Sequence, residues 1–145
     1  MVIYKVKDQN PFTAARATCD EDSNAAGAPG FLHLPMPRND AENAIYLDIV
    51  QNRVAWLDIT EVRGTEPRSW VYRDGSPATY FNWEPREPNS RSENYVEIFG
   101  RFGGSTDGQW NDIHGGARQH AICTYFLEAG AENTCAWLTE LQNNE

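Results

Sequence analysis

The chain is poor in cysteine, with three in 145 residues. It is also poor in positive charge: 12 Lys and Arg stand against 21 Asp and Glu, a formal net charge of −9. A surface of that sign repels a phosphate backbone, which argues against nucleic acid as a partner. Apolar runs are a few residues long, so nothing in the sequence is expected to span a bilayer. The opening residues, MVIYKVKD, lack the apolar stretch of a secretory leader. The chain is therefore expected either to be cytosolic or to have lost a leader. Cys19, Cys123 and Cys135 match no zinc-binding spacing, and no C-x-x-C is present. They read either as three reduced, buried thiols or as one bridge with one thiol left over.

What is present describes an ordinary folded domain. Hydrophobic residues make up 40% and charged residues 23%, a balance that fits one globular unit with a real core. Five Trp, six Tyr and six Phe suggest a core of large flat side chains in a loop-rich β domain. Tyr4 to Lys7 reads as a first strand. Asn10 and Pro11 read as the cap and first residue of a helix, with Phe12, Ala15 and Cys19 on its buried face. A second helix is expected from Asn39, with Glu42 completing a capping box and with Ala41, Ala44, Ile45 and Ile49 sharing a face. After Asn52 the texture changes to short apolar runs between turn residues: Val54–Leu57, Trp70–Tyr72, Tyr95–Phe99 and Ala121–Phe126. Two helices followed by strands make an α+β domain. The stretch from about Glu61 to Gly108 is long and irregular, which in a compact domain usually marks function. Residues 1–128 are expected to form the domain and 129–145 an extension, with Cys135, Leu138 and Leu141 at near-helical spacing.

The irregular stretch gathers hard oxygen donors. Glu87, Asn89 and Glu93 lie within seven residues, and Asn111-Asp112 follows after an expected strand. Carboxylates and amide carbonyls without His or Cys are what calcium prefers. Pro88 fixes the backbone between Glu87 and Asn89, and a cis peptide there would point both side chains one way. No segment fits the EF-hand pattern.

These residues carry a family resemblance. Glu87-Pro88-Asn89, Glu93-Asn94, Trp110-Asn111-Asp112 and Ala121-Ile122-Cys123 resemble, in order, the motifs of the C-type lectin domain. Phe81-Asn82-Trp83, Asp74-Gly75-Ser76-Pro77 and Trp56-Leu57-Asp58-Ile59-Thr60-Glu61 extend the resemblance, which covers about residues 4–126. It implies a C-type lectin-like fold, with two helices flanking small antiparallel sheets and a long calcium-binding loop. It also implies a Cys19–Cys123 disulfide, and hence a secreted, extracellular protein. The family's second disulfide would fall near Tyr95 and Gly115, neither of which is Cys, so the loop is expected to need calcium and packing for order. An auxiliary calcium site would fall near Glu61, Glu66, Ser90 and Asn94, where two of four positions are not acidic, so one firm calcium is expected.

By the same resemblance, Glu87, Asn89, Glu93, Asn111 and Asp112 would hold Ca2+ and, with it, two adjacent sugar hydroxyls. The Glu-Pro-Asn order resembles that of relatives that accept equatorial diols, as on mannose, glucose, N-acetylglucosamine or fucose, found in glycans on cell surfaces and glycoproteins. Trp83, Tyr80 and Phe102 are candidate stacking surfaces, though core positions suit them better. Arg86, Arg91 and Arg101 are candidate contacts for an anionic sugar. One rival is a domain of this fold that binds protein, mineral or ice. Another is an enzyme using Glu87 and Glu93 as a glycosidase pair, but a carboxylate saturated by metal is a poor general acid. His33, His114 and His120 have no recognisable nucleophile beside them, and the protein is read as not an enzyme.

Cys135 is the thiol left over, and an odd cysteine in a secreted chain suggests an intermolecular bridge. A homodimer joined through Cys135 and the Trp137–Leu141 segment is expected to run as a dimer on non-reducing electrophoresis and as a monomer after reduction. A monomer band in both lanes removes the covalent dimer.

Overall fold

A computed structural model describes residues 2–126. The expected helical extension at 129–145 and Cys135 lie outside the described residues.

The strand spanning Val54–Val62 (β2) organises the rest. Its side chains alternate between two faces, and both faces are covered. Ala55, Leu57 and Ile59 join Val96, Ile98 and Trp110 in one apolar cluster. Trp56 points the other way, into a second cluster with Phe12, Ala15 and Cys19. Asp58 is the exception in this apolar run and is wholly buried. A buried carboxylate needs compensation: Arg16 donates from Nε at 2.9 Å and Nη2 at 2.5 Å, and the Leu34 amide from 3.2 Å.

The other strands are β1 (Val2–Asn10), β3 (Ser69–Tyr72), β4 (Tyr95–Phe99), β5 (Trp110–Ile113) and β6 (Gln119–Phe126). They form one sheet in the order β1-β6-β2-β4-β5, with β3 on β2. Every pairing is antiparallel except the single β2–β6 contact, Ala55 beside His120. The expected small antiparallel sheets are thus joined by one parallel link. β2 pairs with β4 at Val54–Trp56 (opposite Phe99–Glu97) and again at Thr60 (opposite Tyr95), and on its other edge with β3 at Ile59–Val62 (opposite Tyr72–Ser69). Among the described residues no helix is long and apolar enough to cross a membrane.

Helix α1 spans Phe12–Ala25 and buries Phe12, Ala15 and Cys19, as its spacing predicts, together with Ser23. Its start differs from expectation. β1 continues to Asn10, which pairs with Gln119, so Asn10 ends a strand and Pro11 is the capping residue without a side-chain bond. The Phe12 amide donates to the Gly115 carbonyl at 2.9 Å instead.

Helix α2 spans Asp40–Val50, and Asn39 caps it by accepting from the Glu42 amide at 2.8 Å. The Glu42 carboxylate reaches back to the Arg38 amide, closing the box one residue earlier than the usual pairing. The buried face is Asn43, Tyr46, Ile49 and Val50; of the expected face only Ile49 is buried, while Ala41, Ala44 and Ile45 are exposed, Ile45 at 41%. A polar residue turns this helix. Asn43 accepts from the Trp110 indole N–H at 2.9 Å and donates to the Gly108 carbonyl at 2.9 Å. The helix is thereby fastened to the start of β5.

Cys19 and Cys123 are bridged, joining α1 to β6 across 104 residues of sequence. Closing a loop of that size in the unfolded chain is worth about 4–5 kcal/mol in the chain-entropy account. The double substitution Cys19→Ala with Cys123→Ala is expected to lower the free energy of unfolding in urea by about 4 kcal/mol. A loss well under 1 kcal/mol would show that the bridge adds little to a core already closed by packing.

Candidate functional site

The site is assembled at the β4–β5 edge. These strands pair with Val96 opposite Asp112 and Glu97 opposite Asn111. The loop preceding β4 returns alongside β5. The Trp110 amide donates to the Asn82 carbonyl at 2.8 Å, and the Glu84 amide donates to the Trp110 carbonyl at 2.9 Å. Glu87, Asn89 and Glu93 follow, so the loop's oxygen donors lie beside those of the strand. The Glu87–Pro88 bond is cis.

Asp112 is the buried centre, with none of its surface exposed. Its Oδ1 accepts from the Asn89 amide at 3.2 Å. Its Oδ2 accepts from the Ser90 amide at 3.0 Å and from Arg68 Nη1 at 3.1 Å. Glu87 and Glu93 crowd the same region. Burial, followed by a hydrogen bond to Asp112 and the negative charges of Asp112, Glu84 and Glu93, pushes the Glu87 carboxyl up to about 7. Burial and the Asp112 charge also raise Glu93, against the opposing pull of His114 and Arg68. The Asn89 side chain is exposed.

Asn111 depends on a residue that the sequence analysis missed. Its Nδ2 donates to Glu97 Oε2 at 2.9 Å, and Gln119 Nε2 donates to Glu97 Oε1 at 2.8 Å. Glu97 is 4% exposed, and burial raises its pKa against these two bonds. With one amide hydrogen spent on Glu97, Asn111 keeps its carbonyl oxygen and a second hydrogen for other partners. The available signal was a lone acid inside the apolar run Tyr95–Phe99. Arg68 was missed as well, and nothing in its sequence neighbourhood marks it.

The chemistry of this donor set fits a hard dication: three carboxylates and two amide oxygens, without nitrogen or sulfur ligands. One feature of the geometry argues the same way. Glu87 Oε1 is buried and has no hydrogen-bond partner among the described residues, a costly condition for a polar oxygen. Among the described residues, however, no three His, Cys, Asp or Glu side chains already meet as a metal-ready group. Asp112 is turned instead to Arg68 and the two loop amides.

Where the resemblance would put a second disulfide, an aromatic contact stands instead. A Cβ on Gly115 would come within 2.7 Å of Tyr95 Cε2, so the ring lies directly on the glycine. Trp83 is half-buried between Trp70, at 5.2 Å between ring centroids, and Trp110, at 5.8 Å. Tyr80 donates to Asp40 at 2.7 Å. Phe102 is 57% exposed. Arg91 pairs with Glu66, and Arg101 with Asp48 at 2.5 Å; Arg86 is exposed with a left-handed backbone, φ 74°.

Three comparisons bear on this arrangement. The family model of the lectin C-type domain matches residues 8–125. Pulmonary surfactant-associated protein D of Bos taurus is 38% identical over 96 residues, 63% of this chain. The chain spans 24% of that relative's length. Among solved structures, the mouse scavenger receptor C-type lectin carbohydrate-recognition domain aligns with a TM-score of 0.69 at 22% identity, covering 88% of this chain and 91% of its own. A calcium-independent type II antifreeze protein aligns with a TM-score of 0.67 at 20% identity, covering 86% and 85%. At these identities the solved structures bear on the fold alone.

The raised Glu87 has a consequence for the metal-free chain. Its carboxyl releases a proton at about 7 when folded, against 4.5 ordinarily. The folded state therefore holds a proton that the unfolded state has lost, and stability falls as pH rises through that interval; Glu93 and Glu97 act in the same direction. In chelator, the thermal midpoint is expected to drop from pH 5 to pH 8, and Glu87→Gln is expected to flatten the drop. A midpoint equally steep in the variant would assign the effect elsewhere.

Proposed function

Because the chain belongs to the lectin C-type domain family, we propose that it is a calcium-dependent carbohydrate-binding module and not an enzyme. Its ligands are taken to be glycans that present equatorial vicinal diols, of the mannose, glucose, N-acetylglucosamine or fucose type. The observation that supports the reading is the buried Glu87 carboxylate oxygen that has no hydrogen-bond partner among the described residues, close enough to the charges of Asp112 and Glu93 to feel both.

The division of labour follows from donor and acceptor chemistry. Glu87, Asn89, Glu93, Asn111 and Asp112 would hold a calcium ion, which would supply a positive centre for two adjacent sugar hydroxyls. Glu87 and Glu93 would accept hydrogen bonds from those hydroxyls, and the amides of Asn89 and Asn111 would donate to the remaining lone pairs. Glu97 and Gln119 hold the Asn111 amide so that one hydrogen stays directed away from Glu97. The contact is shallow, and useful strength comes from several sites engaging one particle. The Cys19–Cys123 bridge supports a secreted, extracellular setting. A homodimer through Cys135 and the C-terminal segment would supply the second site.

A glycan array with and without calcium tests this reading. Signal on mannose- or fucose-type glycans is expected with calcium and is expected to vanish in chelator. Glu87→Gln with Asn89→Asp is expected to turn the preference toward galactose-type diols. Binding that persists unchanged in chelator ends the calcium reading. Thermal hysteresis without any glycan signal would favour the ice-binding alternative, which rests on a shared fold.

A further inference from the structure

Arg68 stands immediately before β3 and is nearly enclosed, its side chain 12% exposed. It satisfies acceptors from three separate segments. Nε and Nη2 grip both oxygens of Glu61 on β2, each at 2.8 Å. Nη2 also donates to the Glu93 main-chain carbonyl at 3.0 Å, just before β4. Nη1 donates to Asp112 Oδ2 on β5 at 3.1 Å. The planar group lies over the Trp70 ring at 5.0 Å. Glu61 and Asp112 expose 3% and none of their side chains. Two buried carboxylates and a carbonyl thus surround one positive charge, an oxygen cage of the kind that a divalent cation also gathers. A guanidinium does the same work with fixed directions and never loses its charge.

The residues expected to offer an auxiliary calcium site do not fit one. Asn94 turns its NH2 group, not its carbonyl, toward Glu61 Oε1 at 2.8 Å. Glu66 is exposed and pairs with Arg91. The Ser90 hydroxyl bonds to that of Ser92 at 3.0 Å. Arg68 and Arg91 both present positive charge to Glu61, which opposes a second dication.

We propose that Arg68 is a built-in cation standing in place of an auxiliary calcium ion, and that it positions Asp112 and the Glu93 segment for a single metal. The single-metal part rests on the sugar-site reading; the bracing part does not. Arg68 ties the loop to β2 and β5, so the loop keeps its arrangement when calcium is withdrawn. This reverses the expectation that a loop lacking its disulfide depends on metal for order.

The test pairs calcium titration calorimetry with hydrogen exchange in EDTA, on the wild-type chain, Arg68→Gln and Arg68→Lys. The amides of Asn89 and Ser90, which donate to Asp112, are the reporters. The wild-type chain is expected to bind one calcium and to protect both amides in EDTA. Arg68→Gln is expected to lose about tenfold or more of that protection, the scale set by a lost charge-assisted bond. It is also expected to take up a second calcium and recover protection with it, which a merely structural loss would not produce. Arg68→Lys keeps the charge and is expected to keep one calcium with intermediate protection; it also serves as the folded reference. Two calcium ions on the wild-type chain would overturn the proposal. So would wild-type protection and stoichiometry in Arg68→Gln. If the wild-type chain binds no calcium, the sugar-site reading fails, while lost protection in Arg68→Gln in EDTA still upholds Arg68 as the internal brace.

Discussion

A carboxylate without solvent is tolerated only where donors or positive charge surround it, and Asp112 is such a group. Much of the arrangement around the β4–β5 edge can be understood as an answer to that requirement. The β4–β5 register fixes where the carboxylate lies. Two loop amides and a guanidinium converge on it from different parts of the chain. The loop is shaped by these bonds rather than by regular structure of its own. Glu87 and Glu93, drawn into the same neighbourhood, bear the electrostatic cost as raised pKa values.

Asp58 on β2 poses the same problem and is solved the same way, by Arg16 and a main-chain amide. Asp58 lies on β2 and Asp112 on β5, and both are wholly buried. The two arginines come from other elements, so each pairing can form only when the tertiary arrangement is complete. Removing one partner would leave an uncompensated buried charge, which costs far more than the pair contributes. These pairs therefore specify which elements meet, whatever their net contribution to stability.

Several features were legible in the sequence because they are local. The spacing of Phe12, Ala15 and Cys19 determines a helix face, and the Asn39–Glu42 pair marks a helix start; both agree with the structure. The ordered motifs from Glu87 to Cys123 led to the fold, and the family match over residues 8–125 agrees. The failures came from longer-range effects. Asn43 looks like a surface residue until Trp110 and Gly108, more than sixty residues away, give its amide two partners. That pairing rotates α2 and exposes Ala41, Ala44 and Ile45. Asn10 looks like a cap until β6 pairs with it and extends the strand. Arg68 and Glu97 carry no motif, since their roles exist only through the groups brought to them in space.

Tyr95 resting on Gly115 replaces a covalent tie with a contact between a ring and a bare backbone. Such a contact has no sulfur to be attacked. Thiols that open the Cys19–Cys123 bridge would find nothing to cleave beneath the loop. Among the described residues, that end of the domain is thereby uncoupled from the redox poise of its surroundings, while the clasp between α1 and β6 still answers to it.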